Sequence, residues 1–406
     1  MSALSTYLRS NLPWLSAGML LTCLSSFGQT FFIAIFAAEL QTAFDLSHGA
    51  WGAMYTIGTT ASALVMVWAG RQADIFRVRT LGVLSLAALA FACLAMALNP
   101  WVWMLPVVIF ALRLTGQGMM SHIASVAMAR WFVATRGRAL SVSALGFSIG
   151  QALFPLAVVA LMTLLDWHVI WVICAGIALL GIPVLLRLLS QERTPASMAK
   201  SSESLGMQGL HWSRKAMLRH PLFWLMVPAL LGPSAFNTAF FFHQVHYAEV
   251  IGITNMQMVS YFPLYTVITV FAMLLSGALL DRFGTARLLP FHQFPMVIAF
   301  FIFATHTFGL GIGFFFLALT AGAQTTLIAA FWAEFYGTAH LGAIKAMAAA
   351  VMVFGSAIGP GITGALIDFG IGIEVQYIGV AAYFVFTTAS MWLGISLTRG
   401  ELTRAA

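Results

Sequence analysis

Apolar residues in this chain come in long runs of about 20 residues, separated by short polar interruptions. A helix of that length rises about 1.5 Å per residue and so crosses the roughly 30 Å hydrocarbon core of a bilayer. No strand-sized alternation of apolar and polar positions occurs, so the runs predict helices, which pair their backbone polar groups internally, rather than a barrel. They predict spans near 13–37, 49–69, 80–98, 102–129, 138–164 and 168–188, then near 222–246, 257–279, 286–305, 308–332, 342–366 and 376–397. Between the two sets lies one long polar segment containing Gln191, Glu192, Lys200, Ser201, Ser202 and the pair Arg214 and Lys215. About 30 polar residues cannot bury a core of their own, so this segment reads as a linker. The expected fold is an all-α membrane protein with twelve transmembrane helices in two six-helix, pseudo-symmetric bundles. Residues 1–189 form the first bundle, 190–221 a cytoplasmic linker and 222–406 the second.

The two sets repeat one design. The hinge Gly70 to Arg79, GRQADIFRVR, returns as GALLDRFGTAR, Gly277 to Arg287, with Gly70 and Asp74 recurring at one offset as Gly277 and Asp281. Self-similarity at so long a period is what a duplicated half-bundle leaves behind. Gly146 and Gly150 likewise return as Gly355 and Gly359. Small residues four apart let membrane helices approach closely, and these pairs predict the interfaces on which the halves rock.

Composition agrees with lipid as the solvent. Only 8% of residues are charged and mean hydropathy is +0.94, whereas a soluble globule carries roughly a quarter charged residues. Charge then sets orientation. With the N-terminus inside, every Lys and Arg except Arg113 falls on the cytoplasmic side, while Glu39, Asp45, Asp166, Glu249, Asp368 and Glu374 fall outside. Both termini are therefore expected in the cytoplasm. The net charge of +7 follows from that asymmetry and from anionic lipid headgroups, and does not point to nucleic acid. Cys23, Cys93 and Cys174 fall within apolar spans, so no disulfide framework is expected. The first run is too long for a signal peptide, and removing it would break the six-plus-six repeat. Short termini without a leader make a bacterial inner membrane the expected location, with a multi-pass, monomeric protein.

The hinge sequences resemble the loop motif of the major facilitator superfamily, which reads roughly Gly-x-x-x-Asp-Arg-x-Gly-Arg-Arg after helix 2 and often recurs after helix 8. The second copy keeps Gly277, Asp281, Arg282 and Gly284; the first keeps Gly70, Asp74 and Arg79 but has Ile75 and Arg77 at two motif positions. The resemblance implies secondary transport by alternating access, with these residues gating the cytoplasmic side. The segment from Arg130 through Gly146, Gly150 and Pro155, and that from Tyr336 through Gly355, Gly359 and Pro360, look like the helix 4–5 and 10–11 segments of the monocarboxylate-porter and oxalate:formate-antiporter branch. Helix 1 lacks that branch's acidic-Gly-Gly-Trp signature, and helix 8 lacks its Asp and Arg pair.

Arg113 stands alone as a cation about 12 residues into the fourth span, near the membrane midplane. A guanidinium there costs several kcal/mol unless it meets water, a partner or a substrate. No Asp or Glu lies deep in any span, so an anion is the expected mobile partner. The segment from Arg113 to Gly118 also resembles the Arg-x-x-Gln-Gly of the family's helix 4. Gln117 lies one helical turn further on. Thr22, Ser25, Ser26 and Gln29 form a polar stripe on the first helix, Asn237 and Gln244 one on the seventh, and Gln324 adds an amide on the tenth. Arg113, Gln117, Gln29, Ser25, Asn237, Gln244 and Gln324 are the substrate-binding candidates, although such stripes also hold helices together. His243 and His246 are candidates for proton coupling. His122, on the far side of helix 4 from Arg113, reads as a packed or interfacial residue.

No metal cluster, nucleotide-binding loop or convergent nucleophile and base is visible, so neither cofactor, metal site nor enzyme activity is expected. The leading expectation is a secondary transporter of a small, monocarboxylate-like organic anion, coupled to protons or a counter-anion. The alternative is an exporter of hydrophobic compounds, favoured by 34 Phe, 21 Met and 12 Trp. One buried cation and no buried carboxylate suit cationic drugs poorly.

Overall fold

A computed structural model describes residues 3–70, 72–132, 136–191, 205–337 and 340–402. Arg71 and most of the linker's polar residues, including Glu192, Lys200, Ser201 and Ser202, lie outside the described residues, as do the side chains of Asp74, Asp281, Arg136 and Arg138. Among the described residues there is no strand, and every predicted apolar span falls on helix. Ten helices are long and apolar enough to cross a membrane, and a bent pair, Arg9–Gly28 with Thr30–Phe44, makes eleven. His48–Ala69 is a further helix of 22 residues.

In chain order, helix 1 runs in pieces from Ala3–Leu24 to Ala37–Phe44, helix 2 is His48–Ala69, helix 3 Val78–Ala97, and helix 4 runs from Leu105–Leu112 to Ser121–Trp131. Helix 5 is Arg136–Met162 and helix 6 Trp167–Leu188. Helix 7 is Pro221–Phe242, helix 8 Phe262–Phe283, helix 9 Phe294–Thr305, helix 10 Leu310–Tyr336, helix 11 Leu341–Asp368 and helix 12 Ile373–Leu402. Caps set two of the starts. Ser47 Oγ accepts the Ala50 N–H at 3.1 Å, and the Asp166 carboxylate accepts the His168 N–H at 2.8 Å. That bond and the His168 ring hold Asp166 below the usual carboxylate range.

The chain forms two compact units. Unit 1 holds Met1–Lys200 with Phe242–His246 and Thr254–Val259; unit 2 holds Ser201–Phe241, Tyr247–Ile253 and Ser260–Ala406. Helix 7, expected to run on to 246, ends at Phe242, bends at His243 and resumes as a short helix, Gln244–Val250.

The repeated glycines work inside each unit. A Cβ at Gly146 would lie 2.0 Å from Met19 O and one at Gly150 2.1 Å from Ser26 Oγ, so helix 5 is pressed onto helix 1. In unit 2 a Cβ at Gly355 would lie 2.8 Å from Leu231 O, and one at Gly359 2.3 Å from Ala235 O, pressing helix 11 onto helix 7. These close approaches hold helices together within each unit.

Helix 7 carries Pro228 and Pro233 yet stays helical, and a side chain satisfies the carbonyl that Pro233 leaves open. Pro233 has no N–H for Ala229 O; Gln293 Nε2 donates to that oxygen at 2.6 Å, and Thr387 Oγ1 donates to Gln293 Oε1 at 2.8 Å. The described end of the linker is packed rather than loose. Met207 and Met217 are buried in the core of unit 2, and the Trp212 N–H donates to Tyr336 O at 3.0 Å.

Candidate functional site

Helices 1 and 4 of unit 1 are irregular at one level. Helix 1 tightens to a 3-10 turn over Ser25–Gly28, extends at Gln29 (φ −86°, ψ 152°), and resumes at Thr30–Ile33. Its two halves are bent by 46°. Helix 4 widens into a π-helix over Arg113–Met120. The two meet through backbone: a Cβ on Gly28 would lie 2.1 Å from Leu112 O, and one on Gly116 would lie 2.7 Å from Gly28 Cα. Only glycine fits at either position. Backbone irregularity at membrane depth leaves carbonyls and amides without helical partners, and π-segments are frequent at functional sites.

Arg113 takes up that opening. It is 4% exposed; its Nη1 donates to Gly28 O at 3.3 Å and to Thr30 Oγ1 at 3.1 Å. The Thr30 hydroxyl shares a 2.5 Å hydrogen bond with Tyr55 OH, and the guanidinium carbon sits 5.4 Å from the centre of the Tyr55 ring. These partners are all uncharged. Its Nε–H is buried without an acceptor, as is Gln117 Oε1 without a donor. Five donors on a buried cation exceed what two neutral oxygens and a ring face satisfy, so charge and hydrogen-bonding capacity are left over for an anion.

The remaining candidates divide. In unit 1, Ser25 Oγ donates to Thr22 O at 2.6 Å and Thr22 Oγ1 to Ser143 O at 2.5 Å, so these hydroxyls are engaged by backbone. Gln29 supplies the extended residue and is buried. Gln244 Nε2 donates to Phe31 O at 3.2 Å, and its Oε1 is buried without a donor. His243 is buried, its ring 4.9 Å from that of Phe242. His246 faces His48, ring centres 4.1 Å apart, and His48 is 6.3 Å from His243. No His, Cys, Asp and Glu cluster suited to a metal occurs among the described residues. Asn237 and Gln324 belong to unit 2, where the Asn237 Oδ1 is buried without a donor and Gln324 is half-buried on helix 10.

The loop candidates are less constrained. Gly70 O is 3.0 Å from His122 Nε2, which ties helix 4 to the first hinge and gives His122 a definite partner. Arg130 Nη1 donates to Ala73 O at 2.8 Å, while Arg79 is exposed. In the second hinge Gly284 holds φ +75°, a conformation that suits glycine, Gly277 faces open space, and the exposed Arg282 lies 5.3 Å from the Phe283 ring centre. The carboxylates of Asp74 and Asp281 are outside the described atoms.

Thr30 and Tyr55 belong to the site but escaped the sequence reading. Trp51 and Tyr55 share one face of helix 2 with His48, at spacings of three and seven, a pattern indistinguishable in sequence from ordinary packing.

The sequence profile of the Major Facilitator Superfamily matches residues 18–309, and the chain belongs to that family. It is a transporter, not an enzyme. A bacterial homolog of the human lysosomal transporter Spinster, in an inward-facing and unoccupied conformation, is similar at a TM-score of 0.69 and 15% identity, covering 96% of this chain and 97% of that one. The nucleoside transporter NupG is similar at a TM-score of 0.67 and 14% identity, covering 96% of this chain and 98% of that one. At such identities the likeness is one of fold. No curated protein sequence matches the chain.

Proposed function

We propose that this transporter moves a small organic anion of the monocarboxylate type by alternating access, coupled to protons or to a counter-anion. The observation that carries the reading is Arg113: a buried guanidinium with neutral partners, an unused Nε–H and no carboxylate in ion-pair reach among the described residues. Isolated charge inside a membrane protein marks a substrate or ion path. Gln117, Gln29 and Gln244 are the amide candidates of unit 1, and Asn237 and Gln324 are those of unit 2. His243 and His246 are the proton-coupling candidates, and the two hinges carry the gates. The reading includes a bacterial inner membrane, cytoplasmic termini, a monomer, and bundle boundaries at 189 and 222.

The test is uptake of radiolabelled carboxylates into proteoliposomes, with and without a pH gradient. Arg113→Gln is expected to lower carboxylate flux at least tenfold with the protein still monodisperse, and Arg113→Lys to restore part of it. Equal flux in parent and Arg113→Gln would make the arginine a structural clamp, and flux of lipophilic cations alone would bring the exporter reading forward.

A further inference from the structure

The ring face against Arg113 belongs to a larger aromatic arrangement, and it bears on which anion fits. Trp51 and Tyr55 are both fully buried on helix 2, and the ring of Phe242 lies on both. Phe242 stacks on Trp51 at 5.2 Å and 19°, and its centre is 4.5 Å from that of Tyr55. Phe242 is the last residue of helix 7, directly before the bend at His243, so a benzene ring is held on this platform from a joint in the chain. Two buried donors accompany the platform without acceptors: Trp51 Nε1–H and Arg113 Nε–H. A buried donor costs roughly 1–3 kcal/mol while it lacks an acceptor, so the pair favours a ligand that brings acceptor oxygens. Tyr55 joins the two features, its ring centre lying 4.5 Å from that of Phe242 and 5.4 Å from the guanidinium carbon.

Resting on the anion reading above, we propose that Arg113, Tyr55 and Trp51 form a subsite for an aromatic carboxylate, whose ring position is filled by the protein's own Phe242 in this conformation. The carboxylate oxygens accept from the two free N–H groups, and the ligand ring takes the stacked position when Phe242 withdraws with the end of helix 7. Aromatic stacking adds to apolar burial, by an amount worth about a three- to tenfold preference over a saturated ring of similar size.

The experiment is a thermal-stability titration of the purified full-length protein with benzoate, cyclohexanecarboxylate and acetate. Benzoate is expected to reach half-maximal stabilisation at a concentration about three- to tenfold lower than cyclohexanecarboxylate. Tyr55→Leu should bring the two rings level, and Phe242→Ala should tighten binding of both ring acids while leaving acetate unchanged. Arg113→Gln should abolish the response to every carboxylate. If Tyr55→Leu does not fold, Phe242→Ala decides by itself: tighter binding of the ring acids with acetate unchanged supports the subsite, and unchanged affinity for all three overturns it. Equal affinity for benzoate and cyclohexanecarboxylate, both lost in Arg113→Gln, would overturn the aromatic subsite and leave the anion reading standing. An aromatic preference unchanged in Tyr55→Leu, with no tightening of the ring acids in Phe242→Ala, would place it elsewhere in the protein and also overturn the subsite. No response to any carboxylate would remove both readings.

Discussion

Gly28 and Arg113 depend on each other. The glycine lets helix 1 come within backbone contact of helix 4, and the extended residue after it turns Gly28 O toward the guanidinium. Gly28→Ala would press a methyl against Leu112 O at 2.1 Å, which the packed backbone cannot yield without separating the helices. We expect a loss of about 1–3 kcal/mol in stability, read as a lower unfolding temperature in detergent, together with impaired carboxylate binding. Gly277 gives the contrast. Nothing lies within 4 Å of a Cβ there, so Gly277→Ala should leave the unfolding temperature unchanged, and a fall in transport with unchanged stability would mark the hinge as functional rather than structural. Of these residues Arg113 was legible in the sequence, because a lone cation in an apolar span stands out. Thr30 and Tyr55 were not, since a hydroxyl that bonds a partner far along the chain looks in sequence like any other.

At the level of elements, the irregular segments show where regular helix was given up and what replaced it. Helix 7 is the clearest case: Pro233 leaves Ala229 O open, and Gln293, held in turn by Thr387, closes it. Gln293→Leu should cost about 1–3 kcal/mol because the carbonyl is then buried unpaired. Adding Pro233→Ala supplies the missing backbone N–H, so the double variant should recover part of that loss, and a double-mutant cycle measured by thermal unfolding will show the coupling. Strictly additive effects would mean that Gln293 stabilises through packing alone. Both prolines stand in plain view inside an apolar run of the sequence, but the glutamine that compensates lies 64 residues from the carbonyl it closes, Ala229 O. The π-segment of helix 4 and the break in helix 1 left no local signature for the same reason: each is stabilised by the other.

Across the whole molecule, the family and the repeated hinge describe a duplicated transporter, and the charge distribution predicts which face is which. The orientation can be checked with single cysteines and a membrane-impermeant maleimide on intact cells. Glu374→Cys should react and Arg282→Cys should not until the membrane is permeabilised; the reverse pattern would invert the topology. The sequence by itself determined that this chain is a polytopic helical transporter, where its spans lie and which residue is its buried cation. The bilayer imposes those requirements span by span, so about 20 neighbouring residues are enough to reveal each of them. Only the tertiary structure decided what surrounds that cation. Gly28, Thr30 and Tyr55 reach Arg113 from two other helices, with Gly28 and Thr30 separated from it by 85 and 83 residues, and contacts across such distances are fixed by packing rather than by local sequence.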